Sequence, residues 1–203
     1  MSASEALTLP RRQPAPREAA PPVSNARIAM IVLIAGESML FAGLIGTYLV
    51  FRLSAPNWPP PDLPRLPLGM TSMNTIALLA SVVPMSRALA AARRHDRRAV
   101  GRATGLTTLL GVVFLAVQGA EWVRLVRHGL TLGSGTYGAT FYTLIGCHGL
   151  HVLVAVTWLT VMAALVRRGA LSRARRTALE MCGMYWYFVC GLWVILFPLV
   201  YLY

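Results

Sequence analysis

The sequence predicts an all-α integral membrane protein, a bundle of five transmembrane helices, and three observations support this. The chain of 203 residues is 56% hydrophobic and only 13% charged, whereas ordinary soluble domains contain about 25% charged residues. Five stretches of about 20 residues or more each contain at most one charged residue, and about 20 apolar residues suffice for a helix to cross a bilayer. Continuous apolar runs are typical of helices, because the strands of a membrane barrel alternate in polarity.

We place the five spans at residues 28–51, 68–87, 103–123, 137–166 and 177–202, within a single membrane domain of residues 27–203. The preceding segment, residues 1–26, contains five prolines and no apolar run. We therefore predict a disordered, proline-rich cytoplasmic tail. Pro84 is expected to kink or end the second span. Trp186 and Trp193, seven residues apart in the fifth span, are expected to share one helix face.

The placement of arginine predicts the orientation of the bundle. All 19 basic residues are arginine, and fifteen of them lie in the tail and in the second and fourth loops. The positive-inside rule then puts the N-terminus in the cytoplasm and the C-terminus outside. The net charge of +12 therefore reflects topology, and we expect no nucleic-acid binding. The clustered arginines are candidate ligands for phospholipid headgroups, namely Arg93, Arg94, Arg97, Arg98, Arg167 and Arg168.

Ionisable and polar residues inside the spans are the candidate functional residues, because they are costly in hydrocarbon and normally face protein or a cavity. Glu37 lies near the middle of the first span, and His148 and His151 lie near the middle of the fourth. The spacing of three places both imidazole rings on one helix face. Tyr187 lies near the middle of the fifth span. We predict that Glu37, one histidine and Tyr187 meet at one depth, either as a proton-exchanging or gating group or as hydrogen bonds that fix packing.

Three more polar residues lie near the ends of spans. Gln118 and Glu121 lie at the outer end of the third span, and Glu121 precedes Arg124 by three residues. This spacing predicts a local ion pair. Glu180 lies near the start of the fifth span, where a carboxylate either stabilises the helix N-terminus or pairs with the arginines before it.

We expect no catalytic residue, metal site or haem on this chain. His148-x-x-His151 has no carboxylate three residues from either histidine, unlike the ligand pattern of di-metal bundles. The two histidines are too close in sequence to bind both sides of one haem. Cys147, Cys182 and Cys190 all fall inside predicted spans without a CxxC spacing. They are therefore interpreted as small apolar residues.

Six motifs are spread along the chain, namely GESMLFAGLIGTYLVFR, NWPPP at Asn57, MNTIALLAS at Met73, QGAEW at Gln118, YGATFYTLIGCHGLHV at Tyr137 and YWYFVCGLWVILFPLVYL at Tyr185. Together they resemble subunit III of the haem–copper oxidases, the cytochrome c oxidase family, in its short five-helix bacterial form. The resemblance extends from Ala26 to the C-terminus, with the membrane carboxylate Glu37 in the first motif. The family's last span usually reads Tyr-Trp-His-Phe-Val-Asp, whereas this chain has Tyr187 for the histidine and Cys190 for the aspartate.

The resemblance implies a non-catalytic membrane subunit of a proton-translocating terminal respiratory oxidase in the bacterial inner membrane. Such a subunit packs on the catalytic subunit I beside subunit II, binds phospholipid, and supports sustained oxygen reduction and proton uptake. Haem and copper are then expected in the partner subunits only. The alternatives are an accessory subunit of a nitric oxide reductase, a stand-alone proton or ion transporter, and a structural subunit of a larger respiratory supercomplex.

Overall fold

The computed structural model describes residues 25–61, 66, 68–169 and 172–202, and within them all regular structure is helical. The predicted tail lies outside the described residues except for its last two positions. The elements are α1 (Asn25–Ser54), α2 (Leu68–Ala80), α3 (Val82–Arg93), α4 (Arg97–Arg127), α5 (Gly135–Arg168) and α6 (Arg173–Phe197), followed by a π-helical turn (Pro198–Leu202).

Five helical spans are long and apolar enough to cross a membrane, because α2 and α3 together form one span. The prediction of a five-helix membrane bundle is therefore confirmed. Each span extends beyond the predicted range at one or both ends; α4, for example, begins at Arg97 rather than 103 and ends at Arg127 rather than 123. Arginines at span ends continue the helix because their long aliphatic stems let the charged heads reach the interface. The orientation of the termini stays a prediction from the arginine distribution.

The second span is interrupted between α2 and α3 at Ser81, three residues before Pro84. Proline has no backbone N–H, so the carbonyl of Ala80 receives no i+4 hydrogen bond. Pro84 itself lies in the first turn of α3, so the proline interrupts the second span but does not end it. The Ser81 hydroxyl also accepts a hydrogen bond from the indole nitrogen of Trp186 at 3.1 Å. The interruption thus creates a docking point for α6.

The core of the bundle lies between α4, α5 and α6, with α2 and α3 packed against α4 and α6. Trp186 and Trp193 are fully buried on the same face of α6, as expected from their spacing. The indole nitrogen of Trp193 donates to the Thr75 hydroxyl of α2 at 2.9 Å. Both tryptophans therefore use their one polar group to tie α6 to the second span.

Helix α1 is the most peripheral span, because it packs mainly on α5 and α6 and buries few of its side chains. Its buried residues, Met30, Phe41 and Tyr48, form one stripe. The opposite face of α1 is exposed in the isolated chain. This face includes Met39, which is 77% exposed, and Val32, which is 65% exposed. Few buried side chains therefore hold α1 against the rest of the bundle.

Most of the arginines lie at one end of the bundle, called here the basic end, formed by the α3–α4 and α5–α6 connections and the start of α1. Asp96 caps α4 by accepting a hydrogen bond from the backbone nitrogen of Ala99 at 3.0 Å. The Arg97 guanidinium donates to the backbone oxygens of Val166 and Arg167. It thus satisfies carbonyls at the C-terminus of α5 that have no helical partner.

Replacing Gly111 by alanine is expected to lower the stability of the bundle by about 1–3 kcal/mol, as overpacked cores do. A Cβ at Gly111 would lie 2.7 Å from Val156 Cγ2 and 2.8 Å from Trp186 Cη2. Gly119 on the same helix is the matched control, because nothing lies within 4 Å of its added Cβ. Thermal unfolding in mild detergent would compare the two variants. An equal loss of stability in both would contradict the packing argument.

Candidate functional site

A glutamate–histidine pair joins α1 to α5 near the middle of the membrane. Glu37 Oε2 lies 2.8 Å from His151 Nε2. The two side chains are 23% and 12% exposed, respectively. Both residues lie in the central part of their helices, where an unpaired charge is costly. The pair is thus a polar contact between α5 and the least buried span of the bundle.

The second ring nitrogen of His151 determines how many protons the bond to Glu37 contains. His151 Nδ1 is 2.7 Å from the backbone oxygen of Cys147, one turn earlier on α5. A carbonyl oxygen only accepts, so Nδ1 must donate its proton there. The bond between Nε2 and Glu37 then needs one further proton, on either the imidazole or the carboxyl group. The pair therefore contains one exchangeable proton and is neutral overall, as its apolar surroundings require.

His148 lies on the same side of α5 as His151, and both rings make edge contacts with Phe41 of α1. Only His151 reaches Glu37. His148 is 1% exposed and stacks on Trp193 with ring centroids 5.0 Å apart. Within the described residues neither nitrogen of His148 has a hydrogen-bond partner. The two histidines thus share a helix face but occupy different environments, one polar and one apolar.

Tyr187 does not join this group, and its predicted meeting with Glu37 and a histidine is wrong. Within the part of the chain that the structure describes, no hydrogen bond connects Tyr187 to either histidine. Tyr185, two residues earlier, is instead the buried tyrosine of this part of α6, 6% exposed. Two residues correspond to about 200° around a helix, so the sequence position identified the depth but not the face. Cys190, at the other unusual position, lies 4.0 Å from the Leu78 carbonyl oxygen of α2.

A second polar cluster surrounds Glu121 at the end of the bundle opposite the basic end. Glu121 is 1% exposed, and the Thr71 hydroxyl lies 3.1 and 3.0 Å from its two carboxyl oxygens. The Gln118 amide donates to Glu121 at 3.3 Å and to the Tyr201 hydroxyl at 3.2 Å. This cluster joins α2, α4 and the turn that follows α6. The sequence identified Gln118 and Glu121 but not Thr71 or Tyr201, which carry no charge and lie far away in the chain.

The predicted ion pair between Glu121 and Arg124 is wrong. The Arg124 guanidinium donates instead to the sulfur of Met70 at 3.6 Å. Glu121 is buried in the helix interface, whereas Arg124 on the same helix is exposed. The i,i+3 spacing makes the two residues neighbours on the helix surface, but their side chains occupy different environments, one buried and one exposed.

Glu180 pairs with a different arginine from the ones expected. Its carboxylate lies 3.7 Å from the guanidinium of Arg27 at the start of α1. Because α6 begins at Arg173, Glu180 lies two turns inside the helix and does not cap it. Both side chains are more than 40% exposed. The contact is therefore a surface ion pair of the basic end.

All six candidate headgroup arginines are exposed at the basic end. One of them, Arg97, is already bonded to the α5 carbonyls described above. Within the described residues, no group of three or more histidine, cysteine, aspartate or glutamate side chains is placed to hold a metal ion. The expectation that haem and copper lie only in partner subunits stays a prediction.

The fold and these polar contacts define a multi-pass helical membrane protein whose ionisable groups connect helices. The model of the family described as cytochrome c oxidase subunit III matches residues 20–203. The chain therefore belongs to the cytochrome c oxidase subunit III family, and the resemblance seen in its motifs is confirmed.

Curated relatives give the same result. The chain is similar to "Cytochrome c oxidase subunit 3" of Synechocystis sp., with 36% identity over 176 residues, covering 85% of this chain and 73% of the relative. It is also similar to "Probable cytochrome c oxidase subunit 3" of Nocardia farcinica, with 33% identity over 175 residues and 86% of each chain covered. "Cytochrome c oxidase subunit 3" of Corynebacterium diphtheriae is 33% identical over 177 residues, again with 86% of each chain covered.

Proposed function

We propose that this chain is the third, non-catalytic membrane subunit of a proton-translocating terminal oxidase in a bacterial inner membrane. The family match over residues 20–203 is the observation that supports it. The proposed partners are the catalytic subunit I and subunit II, which would hold the haem and copper. Among the described residues, helix α1 has an apolar face that is exposed, and a membrane partner or lipid would cover it. Membership of a larger supercomplex is compatible with the same architecture.

Within this role, the Glu37–His151 pair supplies a proton-exchanging group in the membrane. The carboxyl oxygen and the imidazole nitrogen that share one proton are 2.8 Å apart, so the proton crosses directly from one to the other. Transfer of this proton between Glu37 and His151 changes the local dipole without changing the net charge of the pair. We propose that the pair supports proton uptake and sustained oxygen reduction by the catalytic subunit from a distance, and that exposed arginines of the basic end bind phospholipid headgroups.

Purification from the native membrane in mild detergent tests the assignment. We expect oxidase subunits I and II to co-purify with the chain, and the reduced-minus-oxidised spectrum to show a-type haem. Co-purification with a nitric oxide reductase that contains b- and c-type haem would show that the chain is an accessory subunit of that enzyme instead. A chain without pigment that conducts ions in liposomes would favour the transporter instead.

Glu37→Gln is expected to shorten the active lifetime or slow the turnover of the purified oxidase without changing its haem content. Glutamine preserves a hydrogen bond to His151 but removes the acidic proton. Distant substitutions typically change coupling by about 0.5–2 kcal/mol, so the effect should be roughly two- to thirty-fold. Oxygen consumption over many turnovers would measure it. Glu180→Gln is the matched control at an exposed carboxylate, and equal turnover in wild type and Glu37→Gln would contradict the proposed role.

A further inference from the structure

Glu121 is a buried carboxyl group whose neighbours in the cluster are neutral. It is 1% exposed, and α4 ends soon after it, at Arg127. Within the described residues its carboxyl oxygens accept hydrogen bonds from a hydroxyl and an amide group, those of Thr71 and Gln118. A buried carboxylate without a cation either accepts several hydrogen bonds or takes up a proton. The cluster is therefore a candidate proton-binding site.

The donors around Glu121 form a directed chain of hydrogen bonds. The Thr71 hydroxyl donates to the two carboxyl oxygens, at 3.1 and 3.0 Å. The Tyr201 hydroxyl forms a side-chain hydrogen bond with Thr71, and because the Thr71 proton is directed at the carboxyl group, Tyr201 is the donor of that bond. The Tyr201 oxygen in turn accepts from the Gln118 amide at 3.2 Å. Two hydroxyl groups in series thus lead from Tyr201 to the buried carboxyl group.

Tyr201 also lines a cleft of about 600 Å³ at the end of the bundle opposite the basic end. The lining includes the Arg52 guanidinium, and a polar space of this size holds water. Among the described residues, the other charged or titratable groups beside the cluster are Tyr137, which lines the same cleft, and Arg124, which follows on α4. Tyr201 therefore stands between water in the cleft and the buried carboxyl group.

Gln118 has the group that a protonated Glu121 requires. Its Oε1 atom is buried and, within the part of the chain that the structure describes, has no hydrogen-bond partner. Its Nε2 atom donates to Glu121 at 3.3 Å. A carboxylate only accepts hydrogen bonds, whereas a protonated carboxyl group also donates one. Rotation of the amide by half a turn presents Oε1 to that proton, so the same cluster forms hydrogen bonds with both states of the carboxyl group.

We propose that Glu121 reversibly binds a proton taken from water in this cleft. A hydronium ion gives a proton to the Tyr201 oxygen, Tyr201 passes its hydroxyl proton to Thr71, and Thr71 passes its own to Glu121. Each hydroxyl group again has one proton, the carboxylate becomes a neutral carboxyl group, and the hydronium ion becomes water. Gln118 then turns its Oε1 atom toward the new O–H group. This second proton-exchanging group goes beyond the role proposed for Glu37 and depends on no partner subunit.

Infrared spectroscopy of the full chain in lipid nanodiscs tests whether Glu121 binds the proton. The carbonyl stretch of a protonated carboxyl group is separate from the bands of a carboxylate, and it shifts when deuterium replaces the proton. We expect a band that disappears reversibly as the pH rises, shifts in D₂O and is absent from Glu121→Gln. Glu121→Asp, which keeps a carboxyl group and moves the band, gives an independent assignment. No such band at any pH at which the chain stays folded, or a band that never shifts in D₂O, would overturn the proposal.

Two conservative variants test the route of the proton. Tyr201→Phe and Thr71→Val each remove one hydroxyl group with little change of shape. Each should slow deuterium uptake by Glu121 roughly 100-fold, the lower end of what a positioned proton-transfer group contributes. Tyr142→Phe is the matched control, because that hydroxyl donates to the Leu130 carbonyl oxygen at 2.8 Å, outside the cluster.

We expect the control variant to take up deuterium as fast as the wild type does. Wild-type rates in both route variants, or an equal fall in the control, would show that the hydroxyl chain does not carry the proton and would overturn the proposal. Because no readout uses haem or turnover, this test can fail while the oxidase assignment holds.

Discussion

His151→Leu is expected to destabilise the bundle by about 3 kcal/mol, within the range seen when one partner of a buried ion pair is removed. The substitution leaves the Glu37 carboxyl of α1 without its partner at 2.8 Å. In the membrane the exposed part of Glu37 faces hydrocarbon or another subunit, so water cannot replace the imidazole group. Because α1 buries few side chains, we expect it to separate first. Unfolding in bicelles, with a fluorescent probe on α1, would measure the loss.

The double variant Glu37→Leu/His151→Leu separates the cost of an orphaned carboxyl from the loss of packing. Apolar residues in place of both partners should recover most of the stability, because the uncompensated polar group is gone. A double variant as unstable as His151→Leu would show that the ring contact of His151 with Phe41, and not the polar pair, holds α1 in place.

Glu121→Ala is the second substitution for which we expect a large effect, again about 3 kcal/mol. It removes the buried acceptor of the hydrogen bonds from Thr71 and Gln118, and each such hydrogen bond contributes about 0.5–1.5 kcal/mol net to stability. It also leaves a cavity at a side chain that is 1% exposed. Glu121→Gln, which keeps the shape and an acceptor, should cost much less. Thermal unfolding of the purified chain would compare the two.

Glu180→Ala is the matched control for Glu121→Ala. It removes the same side chain from a surface ion pair, and such pairs contribute about 0–1 kcal/mol. Similar losses at the two positions would contradict the claim that burial gives the Glu121 cluster its importance. The contrast also shows why the number of carboxylates in this chain says little about their roles.

The sequence predicted the features that depend on local composition. Charge-free windows identified the five spans, Pro84 indicated the break in the second, and the spacing of Trp186 and Trp193 placed both on one face of α6. Glu37 and His151 were identified because ionisable groups are rare in hydrocarbon and so tend to pair. These inferences require only the number of residues per helical turn and the thickness of a bilayer, and neither depends on which helices are neighbours.

The inaccurate predictions concerned rotation and long-range partners. Tyr187 lies near the middle of its span as expected, but α6 buries Tyr185 rather than Tyr187 in the bundle. Glu121 accepts a hydrogen bond from Thr71, which lies 50 positions earlier in the chain, and does not pair with the nearby Arg124. Helix rotation is set by side-chain packing across interfaces, and no periodicity within a single apolar span determines which neighbour a residue will meet.

The distance along the chain between Glu37 and His151 has a consequence for biosynthesis. The partners are 114 residues apart, and ribosomes add about 5–20 residues per second. Helix α1 therefore waits roughly ten seconds in the bilayer before its partner on α5 is made. During this interval its carboxyl group must be neutral or shielded by the insertion machinery. The carboxyl group that later holds α1 in the bundle therefore opposes membrane insertion of the nascent chain. Helix α1 must insert before the interaction that retains it can form.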